Sequence, residues 1–76
     1  MSHFILEIYE PGDDQTVLAV VESDLPMSVS VGEFLHTGNL LPDEINRVLK
    51  VVRVEHTFWQ SKIGFKQKRM VFTQQP

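Results

Sequence analysis

Residues 48–73 read VLKVVRVEHTFWQSKIGFKQKRMVFT, and this stretch decides the fold. Residues 48–59 are so rich in β-branched and aromatic side chains that they predict one long strand. Residues 65–73 predict a returning strand, and residues 60–64 predict the loop that joins the two. The segment is therefore predicted to be a β-hairpin that takes up about a third of the chain.

A five-residue loop would set Trp59 opposite Phe65 and so fix the register of this hairpin. In that register Glu55 lies opposite Arg69, and the two form a cross-strand ion pair worth about 0.2–1 kcal/mol. The even-numbered face then has an apolar end, formed by Val52, Val54, Met70 and Phe72. This end is predicted to belong to the core. The distal end carries lysines that cannot be deeply buried without partners, so it is predicted to overhang the barrel or reach solvent.

The N-terminal residues predict a second hairpin. Residues 3–9 (HFILEIY) and 17–23 (VLAVVES) are both rich in strand-forming residues. The turn formers of residues 10–16 lie between them, so the two strands are expected to run antiparallel.

The chain between the two hairpins is less regular. Pro26 cannot donate to a central strand ladder, and Gly32 permits a bulge or a sharp corner between short extended segments. Residues 42–47 begin with a proline and two acids and are followed by apolar residues at helical spacing. This pattern is compatible with a single helical turn in a chain that is otherwise all-β.

Five or six short strands joined by proline and glycine turns favour a small antiparallel barrel, closed or half-closed, that forms one domain over residues 1–76. A flat sheet would expose two long edges. The Leu-Pro at 25–26, the Val-Gly-Glu at 31–33 and the strand ending in Val-Glu-His at 54–56 resemble small Src-homology-3-like barrels of uncharacterised bacterial proteins. The resemblance covers residues 17–73, and it implies a fold and no function.

Charge is distributed very unevenly along the chain. Residues 1–44 contain nine acids and no Lys or Arg, whereas residues 45–76 contain all seven Lys and Arg and one acid, Glu55. The favoured interpretation is that opposite charges pair across neighbouring strands when the fold brings the two halves together. The alternative is an interaction signal, which includes self-association of the acidic half with the basic half.

Several classes of protein are disfavoured by the composition. The chain has no cysteine, its first residues lack the basic and apolar regions typical of a signal peptide, and no apolar stretch is long enough for a membrane span, which predicts a cytoplasmic protein without membrane contact. Its three histidines lack ligand partners at metal-site spacing, and His56 is instead predicted to be partly buried and hydrogen-bonded to a neighbour. Since no nucleophile elbow or phosphate-binding glycine loop occurs, the chain is predicted to be no enzyme and to need no metal or cofactor.

The candidate binding surface is the tip of the C-terminal hairpin, over residues 58–68. It combines aromatic and basic side chains, namely Phe58, Trp59, Lys62, Lys66 and Lys68. The leading hypothesis is a non-catalytic protein-interaction module that binds an unidentified protein through a strand edge or through this tip. The alternative is single-stranded nucleic-acid binding, in which bases stack on the rings and phosphates contact the lysines. A sequence pI of about 5.4 favours the first hypothesis.

Overall fold

A computed structural model describes residues 2–38, 46–62 and 64–76 of the chain. The five strands are β1 (Ser2–Tyr9), β2 (Val17–Ser23), β3 (Phe34–His36), β4 (Val48–Ser61) and β5 (Gly64–Gln74). They form one sheet in the order β2-β1-β5-β4-β3, which curls into a half-barrel. The prediction of a small, five-stranded, all-β, barrel-like fold is confirmed. Most of the helical turn predicted near residues 42–47, namely residues 42–45, lies outside the described residues.

One strand pairing departs from the predicted antiparallel arrangement. β1 with β2, β3 with β4, and β4 with β5 are antiparallel, whereas β1 and β5 run parallel. This parallel pair sets Ile8 opposite Val71, two buried side chains, so the apolar stripes of both strands face the same core. The resemblance to Src-homology-3-like barrels stays a prediction.

The C-terminal hairpin pairs one residue away from the predicted register, so the predicted register is wrong. Trp59 lies opposite Lys66 rather than Phe65, and the pairing continues as far as Ser61 opposite Gly64. The strands therefore extend into the segment that was predicted to be loop. A slip of one residue gives every residue a new cross-strand partner. Because side chains alternate between the two faces of a sheet, it also changes which side chains of the two strands share a face.

Further toward the start of β4, the register shifts again between Val51 and Arg53, which marks a β-bulge. Together the slip and the bulge make most of the predicted core end of the hairpin wrong. Val51 is fully buried, whereas Val52 is 40% exposed. Of the other residues predicted for that end, Val54 is half-buried and packs against the core, while Met70 and Phe72 are half-buried on the opposite side of the sheet.

The core is formed by side chains of the three central strands that point toward the same face of the sheet. Its buried apolar members are Leu6, Ile8, Leu49, Val51 and Val71. β2 and β3 are the two outermost strands, so the chain between them must pass from one edge of the sheet to the other. Met27 and Val29 of this crossing segment, residues 24–33, pack against the core. The crossing segment therefore covers the core and closes this side of the half-barrel.

Gly32 ends the crossing segment at the corner predicted from the sequence. Its φ of 94° lies in the left-handed region that favours glycine. Its N–H donates to the carbonyl of Val51 at 2.9 Å, which fixes the corner to the start of β4.

The uneven charge distribution is partly balanced inside the fold. Among the described residues, three ion pairs join a base of the second half to an acid of the first: Arg47 with Glu10 at 3.4 Å, Arg53 with Asp14 at 3.9 Å, and Lys68 with Glu7 at 3.3 Å. Each exposed pair contributes about 1 kcal/mol or less. These pairs support the interpretation that opposite charges meet within one molecule, and self-association through the two halves stays a prediction.

In the part of the chain that the structure describes, no helix is long and apolar enough to cross a membrane. The cytoplasmic location stays a prediction.

Candidate functional site

The hairpin of β4 and β5 extends beyond the core, and its two faces carry different side chains. Along β5, Arg69 and Gln67 lie two and four residues before buried Val71, so their side chains point to the same side of the sheet as Val71. They therefore lie on the continuation of the core surface. We call this surface the inner distal face. It is formed by Phe4, His56, Phe58, Phe65, Gln67 and Arg69. The opposite side of the same strands is the outer face, which carries Glu7, Tyr9, Arg53, Glu55, Trp59, Lys66, Lys68, Met70 and Phe72.

The five residues predicted for the binding surface are divided between these surfaces. Phe58 lies on the inner distal face and is 62% exposed, whereas neighbouring Trp59 lies on the outer face and is 44% exposed. Lys66 and Lys68 are on the outer face with Trp59, and Lys62 is exposed at the turn. The structure therefore does not bring the predicted aromatic and basic residues onto one surface.

Most of the charges on the outer face have partners within the fold. Lys68 contacts Glu7, and the same Glu7 carboxylate accepts a hydrogen bond from the Tyr9 hydroxyl at 3.2 Å. Burial, and next the negative charge of Glu7, raise the pKa of Tyr9 above its ordinary value of 10.0. Lys68 thus has a structural explanation and is a weaker candidate for binding.

Arg53 is also held on the outer face. Its guanidinium lies 4.1 Å from the ring centre of Phe72 and pairs with Glu55 at 2.8 Å. The predicted ion pair between Glu55 and Arg69 is therefore wrong, since Glu55 lies opposite Met70 and on the other side of the sheet from Arg69. The register slip is the reason.

A shallow pocket of about 260 Å³ lies beside Arg53 and Phe72 and is bordered by the turn after β1. Asp13 of this turn accepts a hydrogen bond from the N–H of Gln15 at 2.8 Å, which lowers the pKa of that carboxyl. The acid thus stabilises the turn, and the arginine is engaged by Glu55. The pocket therefore offers little that is free to contact a ligand.

The inner distal face carries a continuous run of rings. Phe4 packs edge-on against Phe65 with ring centres 5.9 Å apart, and Phe65 stacks on Phe58 at 6.2 Å. Phe58 in turn stacks on His56 at 6.0 Å, with the ring planes 20° apart. These spacings are typical of favourable aromatic pairs. The run crosses the sheet from β1 through β5 to β4, where the rings of Phe58 and His56 are exposed.

Two of these side chains are joined by a hydrogen bond. Gln67 is only 8% exposed, and its amide nitrogen lies 3.1 Å from Nδ1 of His56. An amide nitrogen only donates, so Nδ1 of His56 is the acceptor in this contact. The predicted hydrogen bond of His56 is found, but the residue is exposed rather than partly buried.

Arg69 lies in a different environment from Lys68 and Arg53. It is opposite Leu6 on β1 and opposite His56 on β4, and it is partly buried. Its Nη1 is shielded from solvent and has no hydrogen-bond partner among the described residues. The described residues that form the inner distal face include no acidic side chain.

Sequence reasoning missed the positions of Arg69 and Gln67 because it assigned the wrong register. The signal that identifies them is their parity with Val71 on β5, which places all three side chains on one face.

The edges of the sheet are the other surfaces of interest. β2 forms one outer edge and exposes Val17 and Val20, while β3 forms the other and exposes Phe34. β3 has only three residues, and short edge strands are a common way to limit unwanted strand pairing. Among the described residues, no group of three or more His, Cys, Asp or Glu side chains is placed to hold a metal ion.

No protein-family model, curated protein or solved structure matches this chain. Its function therefore has to be inferred from the surfaces described above.

Proposed function

We propose that this chain is a non-catalytic protein-interaction module that binds its partner through the inner distal face. The observation that carries the proposal is the run of rings, in which Phe58 stacks on both Phe65 and His56 and is still 62% exposed. Exposed aromatic side chains are enriched at the centres of protein interfaces, where they account for much of the binding energy. The neighbouring rings hold Phe58 in place, so little side-chain freedom remains to be lost on binding.

Single-stranded nucleic-acid binding has less support. Affinity for a phosphate backbone requires several cations on one surface, because each neutralised phosphate adds to the counterion release that drives binding. The inner distal face has one cation, Arg69, and the whole chain has a formal net charge of −3. On the outer face, Lys68 is paired with Glu7, which leaves Lys66 beside Trp59.

The test selects peptides from a phage-displayed random library against the full chain and measures their affinity for variants. Phe58→Ala is expected to weaken binding by about 30-fold or more, the usual effect of removing an interface hot spot. Trp59→Ala is the matched control, since it removes the adjacent aromatic residue from the opposite face. It is expected to change affinity by less than about threefold.

Two outcomes contradict this proposal. Peptides that bind Phe58→Ala as well as the unaltered chain show that the inner distal face is not the site. If a fluorescent oligothymidine of about 12 nucleotides binds in a salt-dependent way and Phe58→Ala abolishes this binding, the ligand of the face is nucleic acid rather than protein. Circular dichroism establishes that both variants are folded before either result is used.

A further inference from the structure

The bases whose ion pairs are described above contact acids of the same molecule. Lys68 pairs with Glu7, and Arg53 pairs with Glu55. Arg69 differs from them because the described residues of its surface include no acid and Nη1 has no acceptor among the described residues. A buried donor without a partner is costly, and the cost is greater for a charged group. A ligand that supplies an acceptor at this point would remove that cost.

We propose that Arg69 binds a carboxylate, and that the partner is a peptide segment in which an Asp or Glu lies near an aromatic or aliphatic residue. This inference rests on the proposed function, because the peptide would occupy the same inner distal face. A guanidinium and a carboxylate form paired, charge-assisted hydrogen bonds, which are among the strongest in proteins. One isolated cation matches one carboxylate better than it matches a chain of phosphates.

The spacing on the face also constrains the peptide. Arg69 lies opposite His56, and Phe58 follows His56 by two residues on the same side of β4. The ring centres of His56 and Phe58 are 6.0 Å apart. In an extended peptide, side chains two residues apart share a face at a spacing of about 6.6 Å. A peptide lying along β4 would therefore set its acid at Arg69 and an apolar residue two positions away at Phe58.

A carboxylate would reach Nη1 of Arg69 once the guanidinium turns toward solvent, because Nη1 is shielded from solvent in the free chain. The residue is only partly buried, and its cross-strand neighbour His56 is exposed. A carboxylate placed against His56 would meet a guanidinium that has already lost much of its contact with water. Electrostatic attraction is stronger in such a setting than at a fully solvated surface.

The experiment uses the library-selected peptides and a double-mutant cycle. The selected sequences are expected to share an Asp or Glu two residues from an aromatic or aliphatic residue. Replacing that acid by its amide in the synthetic peptide is expected to weaken binding by about tenfold or more, and Arg69→Gln should weaken binding by a similar factor. The two changes together should cost little more than either alone, because both remove one interaction. Arg53→Gln, on the outer face, is the control and should leave affinity unchanged.

The outcomes separate this inference from the proposed function. Selected peptides without an acid, or peptides that bind Arg69→Gln as well as the unaltered chain, overturn the inference and leave the module intact. A selection that yields no peptide contradicts both. If oligothymidine binds the unaltered chain and this binding is lost in Arg69→Gln, Arg69 binds a phosphate, and the proposal that it binds a peptide carboxylate is overturned. The acid-to-amide comparison is made on the unaltered protein, so it decides the matter even where a variant does not fold.

Discussion

Polar side chains on the two faces of the hairpin are satisfied to different degrees. The Tyr9 hydroxyl donates to Glu7, whereas Nη1 of Arg69 has no acceptor among the described residues. The first contact stabilises the folded chain, and the second group opposes folding until a partner is present. These two residues therefore give opposite expectations for substitution.

Replacing Arg69 by methionine is expected to stabilise the free protein. The change keeps a long side chain against Leu6 and removes a charged donor without a partner, so the free energy of unfolding should rise by about 1–2 kcal/mol. Arg53→Met is the control. It removes an ion pair and a cation–π contact and is expected to be neutral or destabilising. Urea unfolding followed by circular dichroism measures both, and a clear loss of stability in Arg69→Met would show that the guanidinium is paired in solution.

Tyr9 predicts a specific dependence of stability on pH. Its pKa in the folded chain is raised above the ordinary value of 10.0, chiefly by burial and then by Glu7, so the folded state binds this proton more tightly than the unfolded state. The resulting stabilisation is complete below about pH 10 and is lost as the pH rises through the folded-state pKa. The free energy of unfolding should therefore fall more steeply above about pH 10 in the unaltered chain than in Tyr9→Phe.

Since the chain contains one tyrosine, its ultraviolet absorbance titration reports Tyr9 alone. A midpoint at or below the value for a free tyrosine would contradict the expected shift.

At the level of elements, the strands of both hairpins were predictable, while their alignment was not. Runs of β-branched residues predict strands directly, because such side chains fit a pleated, half-buried surface. The register depends on where the turn begins, and residues 60–64 contain only one strong turn former, Gly64. The bulge near Val52 has no comparable signal in a run of valines. These two unpredicted features explain why Arg69 was assigned to the wrong face.

The candidate site was also predictable only in part: a binding residue could be predicted, but its contacts with other strands could not. Phe58 was expected to contribute to binding, and the structure places it in an exposed part of a run of rings, between Phe65 and His56. Its separation from Trp59 follows from strand geometry, in which adjacent side chains point to opposite faces. The contacts of His56, Gln67 and Phe4 involve different strands, and they become apparent only once the strands are aligned.

The observed register is tested with engineered disulfides, for which the chain provides a background free of cysteine. Trp59→Cys with Lys66→Cys places two cysteines directly opposite, where Cα atoms in an antiparallel pair are about 4.5–5.5 Å apart. This variant should oxidise readily and without loss of strand content. Trp59→Cys with Phe65→Cys is the control, because in the observed register these side chains point to opposite faces. A free-thiol assay measures the rate of disulfide formation in the two variants. Faster oxidation of the control pair would show that the register predicted from the five-residue loop is correct.

For the whole molecule, the crossing segment closes the half-barrel. Met27 packs against the core, whereas Leu25 of the same segment is 72% exposed. Met27→Ala should therefore lower the free energy of unfolding by about 1–2 kcal/mol, less than a fully buried methionine would cost. Leu25→Ala should change it by about 0.5 kcal/mol or less. Urea unfolding compares the two variants, and equal effects would show that the crossing segment does not cover the core in solution.

The position of β5 also has a consequence for the order in which the molecule forms. β5 is the last of the five strands along the chain, yet it lies at the centre of the sheet, between β1 and β4. The N-terminal hairpin is only two strands wide, and such a hairpin is at best marginally stable alone. Its apolar side chains stay exposed to solvent until residues 64–74 have been synthesised and β5 has paired with β1. Joining such distant strands is slow, so folding is expected as one late step, during which the nascent hairpin is open to chaperones.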